Sequence, residues 1–297
     1  MSFCQLFRVL SCATALSLGF CLPRAARAQS KVLVPPLLLA EDARAAPSLW
    51  RDEWPEFRTS EGIATIASGL ATLAIVLYGP IERPRWQGPI LFDEAARDSL
   101  RASSADARQT YRTVGDWTYR LSPVLPMIDV FLVSAAAHSD SKLAWNLGAT
   151  TFEAYSYSGL ASFISTEISA RKRPYSECLP GGVCDTLSFY SGHSAIAATG
   201  AGLVCANHTR IALYGNPVAD IGACVLASAN ALTTGVTRIV ADRHYATDVV
   251  VGSGLGFAFG YAVPVLLHYS YADSTRSLSF VPDPKCGASC IGVRGTF

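Results

Sequence analysis

Long apolar stretches, separated by short polar junctions rich in Pro and Gly, set the pattern of this chain. Gly62 to Ile81 carries no charge and predicts a buried or spanning helix that ends at Gly79-Pro80. Residues 82–120 differ in character. Charges recur there through Asp93, Glu94 and Arg97 and again through Asp106 and Arg108, the spacing of one or two solvent-facing amphipathic helices. Apolar helical stretches follow at about 123–138, 142–170, 193–208, 217–240 and 245–268. Alternating β-branched runs are scarce, so the pattern predicts an all-α fold: a six-helix core bundle with extra N-terminal amphipathic helices. An arm over residues 29–61 precedes the helical domain of 62–270, and a polar tail of 271–297 reads as a loop.

Residues 1–28 read as a secretory signal peptide. Arg8 opens it, Val9 to Leu22 form its apolar centre, and Ala26-Arg27-Ala28 offers a small-x-small cleavage site. The apolar run is about 14 residues, short of the roughly 20 that span a bilayer. An exported destination, periplasm or cell envelope, follows. Composition narrows the function classes. Half of the residues are hydrophobic and 16% are charged, which excludes a disordered chain. The 24 Lys+Arg against 23 Asp+Glu give no basic surface for nucleic acid.

Of nine cysteines, three lie in the leader. The remaining six fall in sequence-close pairs, Cys178 with Cys184, Cys205 with Cys224, and Cys286 with Cys290, and an even count in an exported chain points to disulfides. Six cysteines allow 15 connectivities, so proximity alone orders these pairs. Cys205 and Cys224 sit in Ala/Gly/Val-rich helices, where a free cysteine also packs as a small apolar residue. No Cys/His set has zinc spacing, so no structural metal is expected.

Polar residues gather where apolar helices end. Arg171-Lys172-Arg173-Pro174 closes one long stretch, with Pro174 as its stop. Phe189-Tyr190-Ser191-Gly192-His193-Ser194 opens the next. Thr237-Arg238 through Arg243-His244-Tyr245 to Asp248 spans the junction of the last two. Arginine forks match phosphate oxygens in bidentate fashion. A Ser-Gly-His helix start offers free N–H groups and the positive end of the dipole to an anion. His244 and Asp248, four apart, share a helical face, so the carboxylate can hold one ring nitrogen and aim the other outward. His193 is a second imidazole, able to protonate a leaving group.

The order and spacing of these segments resemble the type 2 phosphatidic acid phosphatase superfamily, shared with bacterial acid phosphatases and vanadium haloperoxidases. Its signature is Lys-x6-Arg-Pro, then Pro-Ser-Gly-His, then Ser-Arg-x5-His-x3-Asp. Here Arg173-Pro174, Ser191-Gly192-His193 and Arg238-x5-His244-x3-Asp248 match. Thr166 stands where the family has lysine, Tyr190 where it has proline, and Thr237 where it has serine. Lys172 and Arg171 are the nearby cations that could replace the lysine charge.

The resemblance implies a phosphatase of phosphate monoesters, lipid or small, that needs no metal or other cofactor. His244 would attack phosphorus to form a phosphohistidine, with Asp248 orienting it. His193 would protonate the leaving alcohol and then activate water. Arg173 and Arg238, with Ser191, Gly192 and Lys172, would hold the phosphate. The alternatives are a haloperoxidase with vanadate in the same pocket, or a non-catalytic envelope protein that kept the fold.

A lipid substrate raises the question of membrane spans. Gly62–Ile81 and Val249–Leu267 pass by hydropathy. Asp129, Glu153, Glu167 and Asp220 lie within the helical stretches and are costly in lipid, and 123–138 and 193–208 are short for spans. With the leader removed and every long helix crossing, Arg173 and the Cys178/Cys184 loop would fall on the cytoplasmic side, against their disulfide chemistry. The reading is an exported enzyme whose membrane attachment, like its oligomeric state, stays open.

Overall fold

The computed structural model describes residues 48–269 and the strand pair 278–282 and 291–295. The signal peptide, the arm up to residue 47, and Cys286 and Cys290 lie outside the described residues.

The helices run as α1 (Thr59–Tyr78), α2 (Asp93–Leu100), α3 (Ala105–Leu121), α4 (Val124–Ile128) continuing as a π-helical segment (Asp129–Ala137), α5 (Ser141–Ser169), α6 (Gly192–Arg210), α7 (Pro217–Val240) and α8 (Ala246–Leu267). The all-α expectation holds for this domain, with long helices within a few residues of the apolar stretches. The tail differs from the expected loop. Leu278–Pro282 (β1) and Ile291–Gly295 (β2) pair antiparallel, with Leu278 opposite Gly295 and Phe280 opposite Val293.

Helix α6 is the axis of the bundle. Fourteen of its 19 residues are buried, on every side, which is why no amphipathic period marks it. Small residues let its neighbour come close. A Cβ at Gly256 or Gly260 of α8 would lie 2.0 Å from the carbonyl oxygens of Ala195 and Thr199. Near the far end of the bundle, Trp50, Trp54 and Tyr269 pack edge-to-face or tilted in the core, with Leu143, Leu147 and Leu213. Asp140 caps α5 through the Leu143 N–H and also takes Ser48 Oγ and the Leu49 N–H, which ties the incoming chain to that helix.

The outer faces are apolar. Ile63, Ile66, Leu70 and Leu77 of α1, Phe131 and Leu132 of the π segment, and Ile221, Leu226 and Leu232 of α7 are all exposed. Helix α1, the continuous run Ala105–Ala137, α7 and α8 are each long and apolar enough to cross a membrane. This corrects two sequence arguments. The stretch near 123–138 is not a short helix but the end of a 33-residue run. The charges at Asp129, Glu153 and Asp220 do not face outward, because all three are buried against histidines. His208 lies between Asp220 (2.6 Å) and Asp129 (3.2 Å), and His268 meets Glu153 at 2.7 Å. Each of these pairs joins different helical elements.

Candidate active site

One end of the bundle gathers the C-termini of α5 and α7 and the N-termini of α6 and α8, with α2 and α3 folded beside them. Helix α5 stops at Ser169, where Ala170 adopts a left-handed conformation. The stop therefore precedes Pro174 by several residues, and Arg171 to Arg173 are extended. Arg171 pairs with Trp86 as a parallel bridge, and the Lys172 N–H donates to the Trp86 carbonyl. The two-residue period of an extended segment sends Arg171 and Arg173 to one side and Lys172 to the other.

Those two arginines do different work. Arg173 reaches the site: its Nη1 lies 3.2 Å from His244 Nε2 and donates to the Arg243 carbonyl at 3.3 Å. Asp185 fixes it through Nε at 2.9 Å, and Tyr175 donates to the same carboxylate. Asp185 follows Cys184, which is disulfide-bonded to Cys178, so the bridge anchors the loop that steers Arg173. Cys205 and Cys224 are also joined, rather than packed as free thiols.

Arg171 does not supply the missing lysine charge to the pocket. It is fully buried between the rings of Trp86 (4.0 Å) and Tyr245 (4.1 Å). Its guanidinium bridges Asp248 (2.6 Å) and Asp93 (2.7 Å) and also donates to Thr247 Oγ1 and the Gly88 carbonyl. Lys172 makes no side-chain ion pair or hydrogen bond among the described residues. Thr166 is buried and returns its hydroxyl to the Phe163 carbonyl. A third arginine adds charge instead. Arg243, which directly precedes His244, joins Arg238 and Arg173 in pressing positive charge on His193.

His244 is buried in the turn between α7 and α8. Its Nδ1 lies 2.9 Å from the Ser188 carbonyl and 3.7 Å from Asp248 Oδ2. A carbonyl can only accept, so Nδ1 carries the proton and Nε2 keeps its lone pair, facing Arg173. The expected direct grip of Asp248 on the ring is thus shared with a backbone oxygen that no side-chain motif reveals. Asp248 is itself held by Arg171, by Ser188 Oγ at 2.6 Å and by the Tyr245 N–H, the last closing a capping box on α8. Burial first, and then the charge of Arg173, push the His244 imidazole down to about 4, against the opposing pull of Asp248 and the Ser188 carbonyl.

His193 sits in the first turn of α6, its side chain 36% exposed and its ring 4.4 Å from that of Tyr119. Its Nε2 lies 3.6 Å from Asp116 Oδ1. Burial, then the positive charge of Arg238, His244, Arg173 and Arg243, push this imidazole below the ordinary histidine range. Arg238 donates to Asp116 at 2.8 Å and to the Arg112 carbonyl at 3.0 Å. Its approach depends on Gly115, where a Cβ would stand 2.3 Å from Thr237 Oγ1 and 2.4 Å from Arg238 Nη2. Ser191 is the N-cap of α6, fully buried, with its Oγ taking the Ser194 hydroxyl at 2.9 Å. It organises the helix start rather than lining an open pocket. Gly192 stays half-buried at that start, against Ser162.

The arrangement therefore joins His244, His193, Asp248, Arg173, Arg238 and Gly192. It adds Asp93, Asp116 and Ser188, which sequence reasoning did not place there, and Arg243, which the sequence set beside His244 without a role. Asp93 is the clearest case. Read as part of a solvent-facing helix, it is fully buried and accepts from Arg171, from Thr247 Oγ1 and from the Thr247 N–H. Its partners lie 78 and 154 residues away, so no local pattern carries the signal.

Residues 144–272 match the model of the PAP2 superfamily. Among solved structures, the transmembrane PAP2-type phosphatidylglycerolphosphate phosphatase from Bacillus subtilis is 18% identical, with a TM-score of 0.46, over 70% of this chain and 94% of that one. No curated protein matches the chain.

Proposed function

From the match of residues 144–272 to the PAP2 superfamily model, we propose that this chain is a phosphatase of phosphate monoesters working through a phosphohistidine. The observation that carries the reading is the state of His244, with Nδ1–H held by a carbonyl and Nε2 left basic beside Arg173. Nε2 attacks phosphorus and the bond to the alcohol oxygen breaks. His193 gives that oxygen its proton. Water then attacks the phosphohistidine while His193 takes a water proton, and inorganic phosphate leaves. Arg173, Arg238 and the free N–H groups at the start of α6 stabilise the phosphoryl oxygens, and positioning with charge stabilisation is most of what this transfer requires.

His193 begins neutral among arginines. The incoming phosphate dianion offsets their charge and favours the protonated ring that the first step consumes. The substrate class is an amphiphile whose phosphate reaches the site at the end of an apolar bundle, and membrane association follows from the exposed apolar helices. Two disulfides favour an oxidising compartment.

His244→Ala is expected to reduce phosphate release from lipid and soluble monoesters by at least about 10⁴-fold. Wild-type protein given labelled substrate should yield an acid-labile, base-stable phosphoenzyme that the variant lacks. Normal turnover by the purified variant, or halide oxidation that requires vanadate, overturns the proposal.

A further inference from the structure

A buried ion triad stands behind His244. Arg171 lies between Asp93 of α2 and Asp248 of α8, at 2.7 Å and 2.6 Å, and all three side chains are fully buried. Trp86 and Tyr245 cover the guanidinium. Thr247 links the two ends of the pair: its Oγ1 accepts from Arg171 at 3.0 Å and donates to Asp93 at 2.9 Å, while its N–H donates to Asp93 at 2.8 Å. Two carboxylates against one guanidinium leave the triad one net negative charge. As a stabiliser such a group gains little, since desolvating three charges offsets most of their attraction. Its placement gives it another use.

Two groups face His244 Nδ1, the Ser188 carbonyl at 2.9 Å and Asp248 Oδ2 at 3.7 Å. Arg171 grips both. Its guanidinium takes Asp248 Oδ1, and its carbonyl accepts the Ser188 N–H at 3.2 Å. As the Nε2–phosphorus bond forms and the bond to the alcohol oxygen breaks, the ring keeps its Nδ1 proton and turns positive. A negative Asp248 stabilises that charge. A guanidinium bound to Asp248 alone would cancel it. Asp93 takes the other arm of the guanidinium, so negative charge remains beside the ring, in a dry setting where it is felt strongly. Asp93 reaches this position from α2, outside the matched residues 144–272.

We propose that Asp93 and Arg171 are positioning residues for phosphoryl transfer, fixing Asp248 and Ser188 against His244 and keeping Asp248 charged as the ring turns positive. The assignment rests on the phosphatase reading and extends it to two residues behind the nucleophile. In solubilised full-length protein given p-nitrophenyl phosphate, Asp93→Asn should lower kcat about tenfold. KM and the inhibition constant of inorganic phosphate should stay within about twofold, because Arg173 and Arg238 are untouched. Arg171→Gln should lower kcat about 100-fold, since two facing carboxylates then share a proton. Arg171→Lys keeps the charge without the fork and should fall between. Asp93 acts through Arg171, so the double variant Asp93→Asn/Arg171→Gln should be no slower than Arg171→Gln alone.

Losses divided between kcat and KM, or single losses that multiply in the double variant, overturn the proposal. Where Asn or Gln abolishes a cooperative melt, Arg171→Lys carries the comparison of kcat with KM. Histidine ring ¹⁵N resonances give a readout free of turnover, with His244 assigned by its loss in His244→Ala. Its ring meets Arg173 and His193 on the pocket side and Asp248 on the other, with Arg171 and Asp93 behind. Removing the Asp93 charge makes the protonated ring less favourable, so Asp93→Asn should weaken its proton affinity about threefold. If the wild type hydrolyses no phosphate ester, the phosphatase reading fails by itself and this titration decides the coupling. A lowered His244 midpoint supports it, and an unchanged one overturns it.

Discussion

His244 illustrates how much of the chemistry rests on the surroundings of one ring. Its imidazole is buried and pushed down to about 4, whereas the same residue in the unfolded chain titrates near 6.5. Between those values the unfolded chain binds the extra proton. The contribution of His244 to stability is therefore complete above about pH 6.5 and is lost as pH falls toward 4. Denaturant melts over this range should show stability falling with acid, and His244→Ala should flatten that slope; an unchanged slope would mean the ring titrates as in water. At this scale the motif residues were legible in the sequence, since His193, His244, Asp248, Arg173 and Arg238 converge as their spacing implied. What was not legible was the division of labour. Arg171 and Arg173 look equivalent in the chain, yet one is locked between Asp93 and Asp248 and the other faces Nε2.

At the scale of elements, the site depends on how closely α3 lies against α7. Gly115 permits that approach, and a methyl group there must displace Thr237 or Arg238. Gly115→Ala should cost about 10- to 100-fold in kcat/KM if Arg238 holds phosphate as proposed, because a shift on the order of 1 Å in such a group is expensive. The control is Gly222→Ala in α7, where nothing lies within 4 Å of the added carbon. That change should leave activity intact and raise stability by up to about 1 kcal/mol. Equal losses in the two variants would sink the close-approach argument. Helix existence was readable from apolar stretches flanked by Pro and Gly. The α5 stop was not, because Ala170 takes its left-handed turn against a neighbouring strand-like segment rather than at a breaker residue.

At the scale of the whole molecule, apolar faces point outward and charges point inward. Asp129, Glu153 and Asp220 meet His208 and His268 inside the bundle, which leaves exposed α1, α7 and α8 faces suited to lipid. Membranes from expressing cells should retain the protein through an alkaline carbonate wash, and its release into the supernatant would refute membrane embedding. Sequence alone determined that the chain is helical and that family-like motif residues gather at its helix ends, because those signals are local: apolar runs, breakers, and short motifs whose spacing survives without the fold. Only the tertiary structure decided which charges are internal, which arginines face the pocket, and that Asp93 and Asp116 brace it. Those outcomes depend on contacts across as many as 154 residues, and packing, not spacing along the chain, chooses such partners.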